Sequence, residues 1–254
     1  MVSAAVGIYG QSGPRLLLAL SLNTEPFMDE SIYQSTIIQG TATLVTLTAV
    51  ESENGSDEIK KFASFGEVKH LVVRPPAYGL FRLRGRFVIH GWARPNILAQ
   101  REDGKYRFNT ILSIGMFANG VLIRLGDGNL FIGGEVWING VVVVRIPDAW
   151  FPIGKWTYFA LVRSNNRVSF YTRTKDDTTI GHDGTINSAH LRGTNEDPAA
   201  MGFVNTNNLD VLVGQSMHKQ DNSSGGYENF RGELDRIVVI RGAPLNDRTV
   251  PFHL

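Results

Sequence analysis

The 254-residue chain contains no cysteine. Disulfide scaffolds, thiolate metal sites and cysteine nucleophiles are excluded with it. The absence also leans towards folding in a reducing cytosol, because secreted animal domains of this size commonly carry disulfides. An excess of one charge is missing too: 25 Lys and Arg face 24 Asp and Glu, a formal net charge of +1. No basic tract is present, so nothing favours nucleic acid or an anionic membrane surface as a partner. Long hydrophobic runs are lacking as well. The most apolar stretch, residues 15–23 (RLLLALSLN), falls far short of the roughly 20 residues that cross a bilayer. No positive residue precedes Arg15 and no small-residue cleavage site follows Asn23 and Glu25, so this stretch reads as a buried first strand and not as a signal-peptide core. Amphipathic helices of useful length, internal repeats and low-complexity blocks are also wanting.

What the chain does have is period-two alternation between turn residues. Residues 154–171 (GKWTYFALVRSNNRVSFY) show it best. Trp156, Tyr158, Ala160 and Val162 fall on one side of an extended chain, and Thr157, Phe159, Leu161 and Arg163 on the other. The polar corner Ser164-Asn165-Asn166-Arg167 leads into a second alternating run, Val168, Phe170 and Thr172 against Ser169, Tyr171 and Arg173. This is the pattern of two antiparallel strands and a short hairpin. The segment FALV is apolar on both faces, which predicts a strand covered on both sides.

Similar signals recur along the chain. Strands are expected at 15–23, 36–50, 68–73, 87–94, 110–115, 120–125, 129–132, 141–146, 209–214 and 230–241. Ala118-Asn119-Gly120 and Gly126-Asp127-Gly128 carry hairpin-turn chemistry. Pro75 and Pro76 interrupt a ladder they cannot donate to. Residues 51–61 read as a charged surface loop, 174–208 as a long polar connection of the kind that is functional or ordered by a partner, and 215–229 as a second polar loop. Roughly twelve short strands with turn signals every 8 to 12 residues indicate an all-β sandwich or barrel. A hydrophobic content of 43% over this length suits one domain with a sizeable core.

The order of these motifs resembles the concanavalin A-like lectin/laminin G-like jelly roll. Phe87-Val-Ile-His-Gly-Trp92 matches the family's strand ending in tryptophan. Gly154, Trp156 and Ala160 to Arg163 match its Gly-x-Trp strand, followed by the Phe170-Tyr171 pair. Val211 to Gly214 approximates the next strand. Phe230, Gly232, Leu234, Asp235, Ile237 and Val239 match the terminal motif. Leu16 to Leu22 with Asp29 and Ser31 resembles the family's opening strand and Asp-x-Ser loop, and Phe65-Gly66 its Phe-Gly step. The resemblance implies a two-sheet antiparallel jelly-roll sandwich over residues 14–245, with an arm or edge strand at 1–13 and an extended tail at 246–254. Trp92 and Trp156 read as core. The resemblance implies that Trp156 and Tyr158 are scaffold and that binding belongs on the loops, chiefly 174–208 and 215–229.

The terminal run Gly232-Glu-Leu-Asp-Arg-Ile-Val-Val-Ile-Arg-Gly-Ala-Pro244 is similar to laminin G-like modules of bacteriophage structural proteins. That similarity implies a non-enzymatic virion component of tail, baseplate or capsid, made in the bacterial cytoplasm. Its partners would be other virion proteins in an oligomeric assembly, with cell-surface polysaccharide as a further ligand. A free-standing extracellular lectin or adhesin is the alternative.

Chemistry is sparse. Glycosidases on the same sandwich set Glu-x-Asp-x-Glu along one strand, and retaining enzymes need two carboxyls about 5 Å apart. Here Glu233-Leu-Asp235 is followed at the third position by Ile237, so no catalytic residue is assigned. The six histidines, His70, His90, His182, His190, His218 and His253, show no metal-ligand spacing, and nucleophile-elbow and phosphate-loop motifs are absent. No cofactor is required. The resemblance does raise calcium, held by rim oxygens of the type hard cations take; Asp176, Asp177, Asp183 and Asp221 (beside Asn222) are the candidates, with solvated turns as their plainer role. A sugar site needs an aromatic platform and planar polar groups, for which Trp137, Trp150, Tyr227, Asn222 and Asn229 are the candidates; burial or packing against a partner subunit is an equal role for Trp137 and Trp150.

Overall fold

A computed structural model describes residues 15–22, 26–40, 43–46, 61–65, 70–77, 80–83, 85–96, 109–115, 119–126, 134–146, 151–164, 167–174, 190–196, 204, 210–216 and 229–242. These residues form sixteen strands and no α-helix. In chain order they are β1 (Arg15–Ser21), β2 (Met28–Asp29), β3 (Thr36–Gly40), β4 (Thr43–Thr46), β5 (Lys61–Phe65), β6 (Leu71–Arg74), β7 (Phe87–Pro95) and β8 (Asn109–Ile114). Then follow β9 (Val121–Leu125), β10 (Gly134–Ile138), β11 (Val141–Ile146), β12 (Thr157–Arg163), β13 (Val168–Thr174), β14 (Leu191–Asn195), β15 (Val211–Val213) and β16 (Gly232–Arg241). The arm at 1–13, the tail at 246–254 and the strand expected at 129–132 lie outside the described residues.

Two antiparallel sheets stack face to face. The nine-stranded sheet runs β14-β13-β12-β7-β16-β1-β2, with β5 also on β16 and β4 on β5; the seven-stranded sheet runs β11-β10-β9-β8-β15-β6-β3. Their inner faces interdigitate Leu18, Leu20, Ile89, Phe159, Leu161 and Phe170 with Ile114, Ile123, Val136, Val144 and Val213, all buried. Phe159 stacks on Phe170 with centroids 6.4 Å apart, and Phe65 meets Phe230 edge-on at 6.4 Å. Each such fully buried phenylalanine contributes about 1.5–3 kcal/mol relative to exposure. The sheets also meet at both edges, where β11 lies against β14 and β2 against β3. This covers ladder groups that would otherwise invite another chain to pair.

The expected hairpin is present as β12 and β13, paired from Thr157↔Thr174 to Arg163↔Val168. All seven residues of β12 are buried, as its two apolar faces predict. Its outer face does not reach the interior, however. Tyr158, Ala160 and Val162 form a second apolar cluster on the outside of the larger sheet with Val88, Trp92 and Tyr171, and Trp156 packs against it. Trp92 and Trp156, expected in the core, are therefore scaffold of a separate outer cluster and not of the sandwich core.

Strand β16 is the pivot. One edge pairs with β7 along its length. The other pairs with β5 through Gly232 to Leu234 and with β1 through Ile237 to Arg241. The terminal motif thus has a physical meaning. Gly232 has φ +151°, and a Cβ there would lie 2.2 Å from the Arg94 carbonyl oxygen, so the two strands approach only with glycine at this position. The Asp-x-Ser loop is also explained. Buried Asp29 accepts from the backbone N–H of Ala19 (3.0 Å), Ser31 (2.9 Å) and Ser35 (2.8 Å) and from the Ser31 hydroxyl (2.9 Å), tying the turn back onto β1.

Three sequence expectations change. The stretch 36–50 contains two strands in different sheets, β3 in the smaller and β4 in the larger. The polar connection 174–208 contains β14, an edge strand of the larger sheet. Strict alternation also fails in β16. Its register slips between Asp235 and Val238, and Arg236 takes φ 47°. This is a bulge.

Candidate functional site around Trp137

Asn139-Gly140 joins β10 to β11 with both residues at positive φ, 51° and 77°. That is the type I′ turn whose twist matches a tight hairpin. It pairs Ile138 with Val141 and Trp137 with Val142. The register then slips, so that Val136 faces Val144 and Glu135 faces Arg145. On the other side Trp137 faces Leu122 and Glu135 faces Arg124. Val136, Ile138 and Val144 belong to the interior cluster. Alternation therefore turns Glu135, Trp137, Arg124 and Arg145 to the outside of the smaller sheet.

These four side chains form one charged and aromatic cluster. Glu135 Oε2 accepts from Trp137 Nε1 at 2.9 Å and from Arg124 Nη2 at 2.9 Å. The Arg124 guanidinium lies over the Trp137 ring, 5.0 Å from its centroid, within cation–π range. The Arg124 and Glu135 side chains are only 7% and 6% exposed, whereas Arg145, 3.7 Å from Glu135 Oε1, is 72% exposed. The half-buried indole is thus fixed at its edge by a carboxylate and on one side by a guanidinium. A ring locked in this way gives up little conformational entropy when something stacks on it.

Of the residues singled out from sequence, Trp137, expected near a loop, lies in β10 with only Ile138 between it and the turn. Asn229 is half-buried on an isolated bridge to Gln215, its Oδ1 accepting from Gln215 Nε2 at 3.0 Å. The bridge follows β15, and in sheet order β8 and β9 separate β15 from the strand of Trp137, so the two residues do not share one corner. Trp150, Asn222 and Tyr227 lie outside the described residues, as do the calcium candidates Asp176, Asp177, Asp183 and Asp221. Among the described residues no group of three or more His, Asp or Glu is placed to hold a metal ion. Arg124, Glu135 and Arg145 were not singled out from sequence. The one local hint is Glu135 two positions before Trp137, a spacing that puts both on one face of a strand.

The second carboxylate group lies on the outside of the larger sheet. Glu233 accepts from Arg94 Nε at 2.9 Å and from Asn96 Nδ2 at 2.8 Å, with its side chain 9% exposed. Asp235 faces Trp92. The β16 bulge turns Ile237 into the interior, and the next position on this outer face is Val238, opposite His90. The third catalytic position is thus apolar in the folded strand as well, with valine in place of the expected isoleucine. Nearby, burial pushes the Tyr158 phenol well above its ordinary value of 10.0, which keeps it neutral.

No family model matches the chain, and no curated protein matches it in sequence. Its fold is similar to the binding domain of botulinum neurotoxin serotype G, at 14% identity and TM-score 0.57, over 92% of this chain and 49% of that one. It is similar also to the binding domain of Paraclostridial Mosquitocidal Protein 1, at 12% identity and TM-score 0.58, over 92% and 50%. The binding domain of botulinum neurotoxin serotype D gives 12% identity and TM-score 0.55, over 92% and 49%. The chain spans about half the length of these structures. At such identities the likeness is one of fold.

Proposed function

We propose that the chain is a non-enzymatic recognition domain that binds carbohydrate at a cell surface, with the Trp137 corner as its platform. The observation that carries this reading is the indole itself, pinned by Glu135 and Arg124 on the outer face of a rigid sheet. Aromatic rings present a large, rigid contact area that saccharide faces can cover, and preorganisation lowers the cost of binding. Three known structures of similar fold are named as binding domains, which supports recognition over catalysis. The state of Glu233 points the same way. Its carboxylate is engaged by Arg94 and Asn96, and no second carboxylate follows it on that face beyond Asp235.

The setting we favour is a bacteriophage particle, in which the domain sits in tail, baseplate or capsid beside other virion proteins. Support comes from the motif order of a concanavalin A-like, laminin G-like module and from the phage-like run ending at Pro244. A calcium ion at the sheet rim would be an accessory to this role. A glycan array probed with and without calcium tests the recognition reading: binding should appear for the intact chain and fall at least tenfold in Trp137→Ala. Absence of binding in both conditions refutes it. Mass spectrometry of purified particles tests the setting separately, and absence of the protein from them leaves the free lectin.

A further inference from the structure

We propose that the Trp137 corner selects glycans that carry a carboxylate, and that Arg145 is the residue that reads it; this rests on the corner being a sugar platform.

The charges at the corner do not balance. Two guanidiniums, Arg124 and Arg145, surround the single carboxylate of Glu135. The carboxylate is used mainly by one of them. Its Oε2 holds both Arg124 and the indole N–H at 2.9 Å, inside a site where Arg124 and Glu135 are almost fully buried. Arg145 meets the other oxygen only at 3.7 Å, with 72% of its side chain exposed. Contacts of this exposed kind are worth little and are readily exchanged. Among the described residues the Arg145 guanidinium is thus engaged only by this loose contact, and a carboxylate matches its planar fork in two parallel hydrogen bonds.

Position agrees with charge. Arg145 faces Glu135, two residues along the strand from Trp137. Diagonal neighbours on one face of an antiparallel pair lie about 7–8 Å apart, within reach of long side chains. Val142, half-buried and directly opposite Trp137, extends the apolar surface between them. A sugar ring resting on Trp137 and Val142 would bring an acidic substituent towards Arg145. Glu135 does not oppose it, because Arg124 already neutralises that carboxylate at 2.9 Å.

The test is an array of sialylated, uronate-bearing, sulfated and neutral glycans, read with the intact chain, Arg145→Ala and Arg145→Lys. Carboxylated glycans should dominate, and methyl esterification of the best of them should weaken binding about tenfold or more, the scale of a charge-assisted hydrogen-bonded pair. Arg145→Ala should give the same loss with an unchanged melting temperature, as expected for an exposed side chain. Arg145→Lys should recover only part of it, since the point charge lacks the fork. Preference for sulfated or neutral glycans, or undiminished binding by Arg145→Ala, overturns the assignment while leaving the platform in place. No binding in any arm removes the platform reading and this inference together.

Discussion

The buried pair at the candidate site makes a sharp prediction about stability. Glu135→Gln keeps the side-chain shape and an oxygen for the Trp137 N–H, yet removes the charge that faces Arg124. Arg124, 7% exposed, then stays ionised in a dry setting with a neutral partner. Leaving one member of a buried pair uncompensated costs about 3–5 kcal/mol. Arg145 adds little to this, because its 3.7 Å contact is largely solvated. Against a total stability of about 5–15 kcal/mol, such a loss is large. With a urea slope of about 3 kcal/mol/M, the unfolding midpoint should fall by roughly 1–1.7 M. Arg124→Met strands the opposite charge and should cost a similar amount. The double variant removes both charges and should recover most of the loss, since a neutral replacement of a buried pair is often tolerated. The coupling, which is the sum of the two single losses less the small loss of the double variant, should therefore exceed about 3 kcal/mol. Coupling below about 1 kcal/mol is the value of an exposed pair. It would mean that water screens the cluster and that Trp137 is not rigidly held.

Two further predictions concern the scaffold. Gly232→Ala should lower stability by at least about 2–3 kcal/mol, because the added Cβ meets the Arg94 carbonyl oxygen at 2.2 Å; thermal unfolding measures it, and a wild-type midpoint would show that β7 and β16 can separate. Tyr158 bears on alkaline stability: its phenol is raised by burial, so its contribution is complete below the unfolded value of about 10 and is lost as pH rises from there towards the raised folded value. Above pH 10 the unfolded chain gains about 1.4 kcal/mol per pH unit from this one proton. Tyr158→Phe should remove that slope in urea titrations between pH 9 and 11, and parallel curves for the two proteins would refute the assignment.

Much of the fold was legible because it is written in period two. The β12–β13 hairpin, β7 and β16 carry alternation strong enough to read directly, and they are neighbours in one sheet. Failures came where alternation is silent. A run of Thr, Val and Ile predicts an extended stretch over 36–50, but not that the chain changes sheets between Gly40 and Thr43. Strand β14, LRGTN, has mostly half-buried residues and no apolar side to detect. The bulge after Asp235 inverts parity within a single strand, because an extra residue sends every later side chain to the other face. Ile237 and Val238 look interchangeable as letters, and only the Arg236 backbone decides which of them enters the core.

The same device makes the candidate site. Trp137 was legible as an aromatic residue near a loop, but the strand that carries it, β10, and its charged partners were not. A hairpin counted strictly from Ile138↔Val141 would set Glu135 opposite Val144 and turn Arg145 towards the interior, beside Gly134. The observed pairs, Trp137↔Val142 and Val136↔Val144, leave Val143 as the extra residue. That insertion delivers Val144 to the core, where it is 4% exposed, and swings Arg145 out to face Glu135. Burying Arg145 without a partner would be costly, whereas burying valine is favourable. The core therefore enforces the bulge, and the bulge places a cation beside the indole. Recognition at this corner would then be a by-product of how the hairpin satisfies its interior, which is why neither Arg124 nor Arg145 stands out from the order of letters alone.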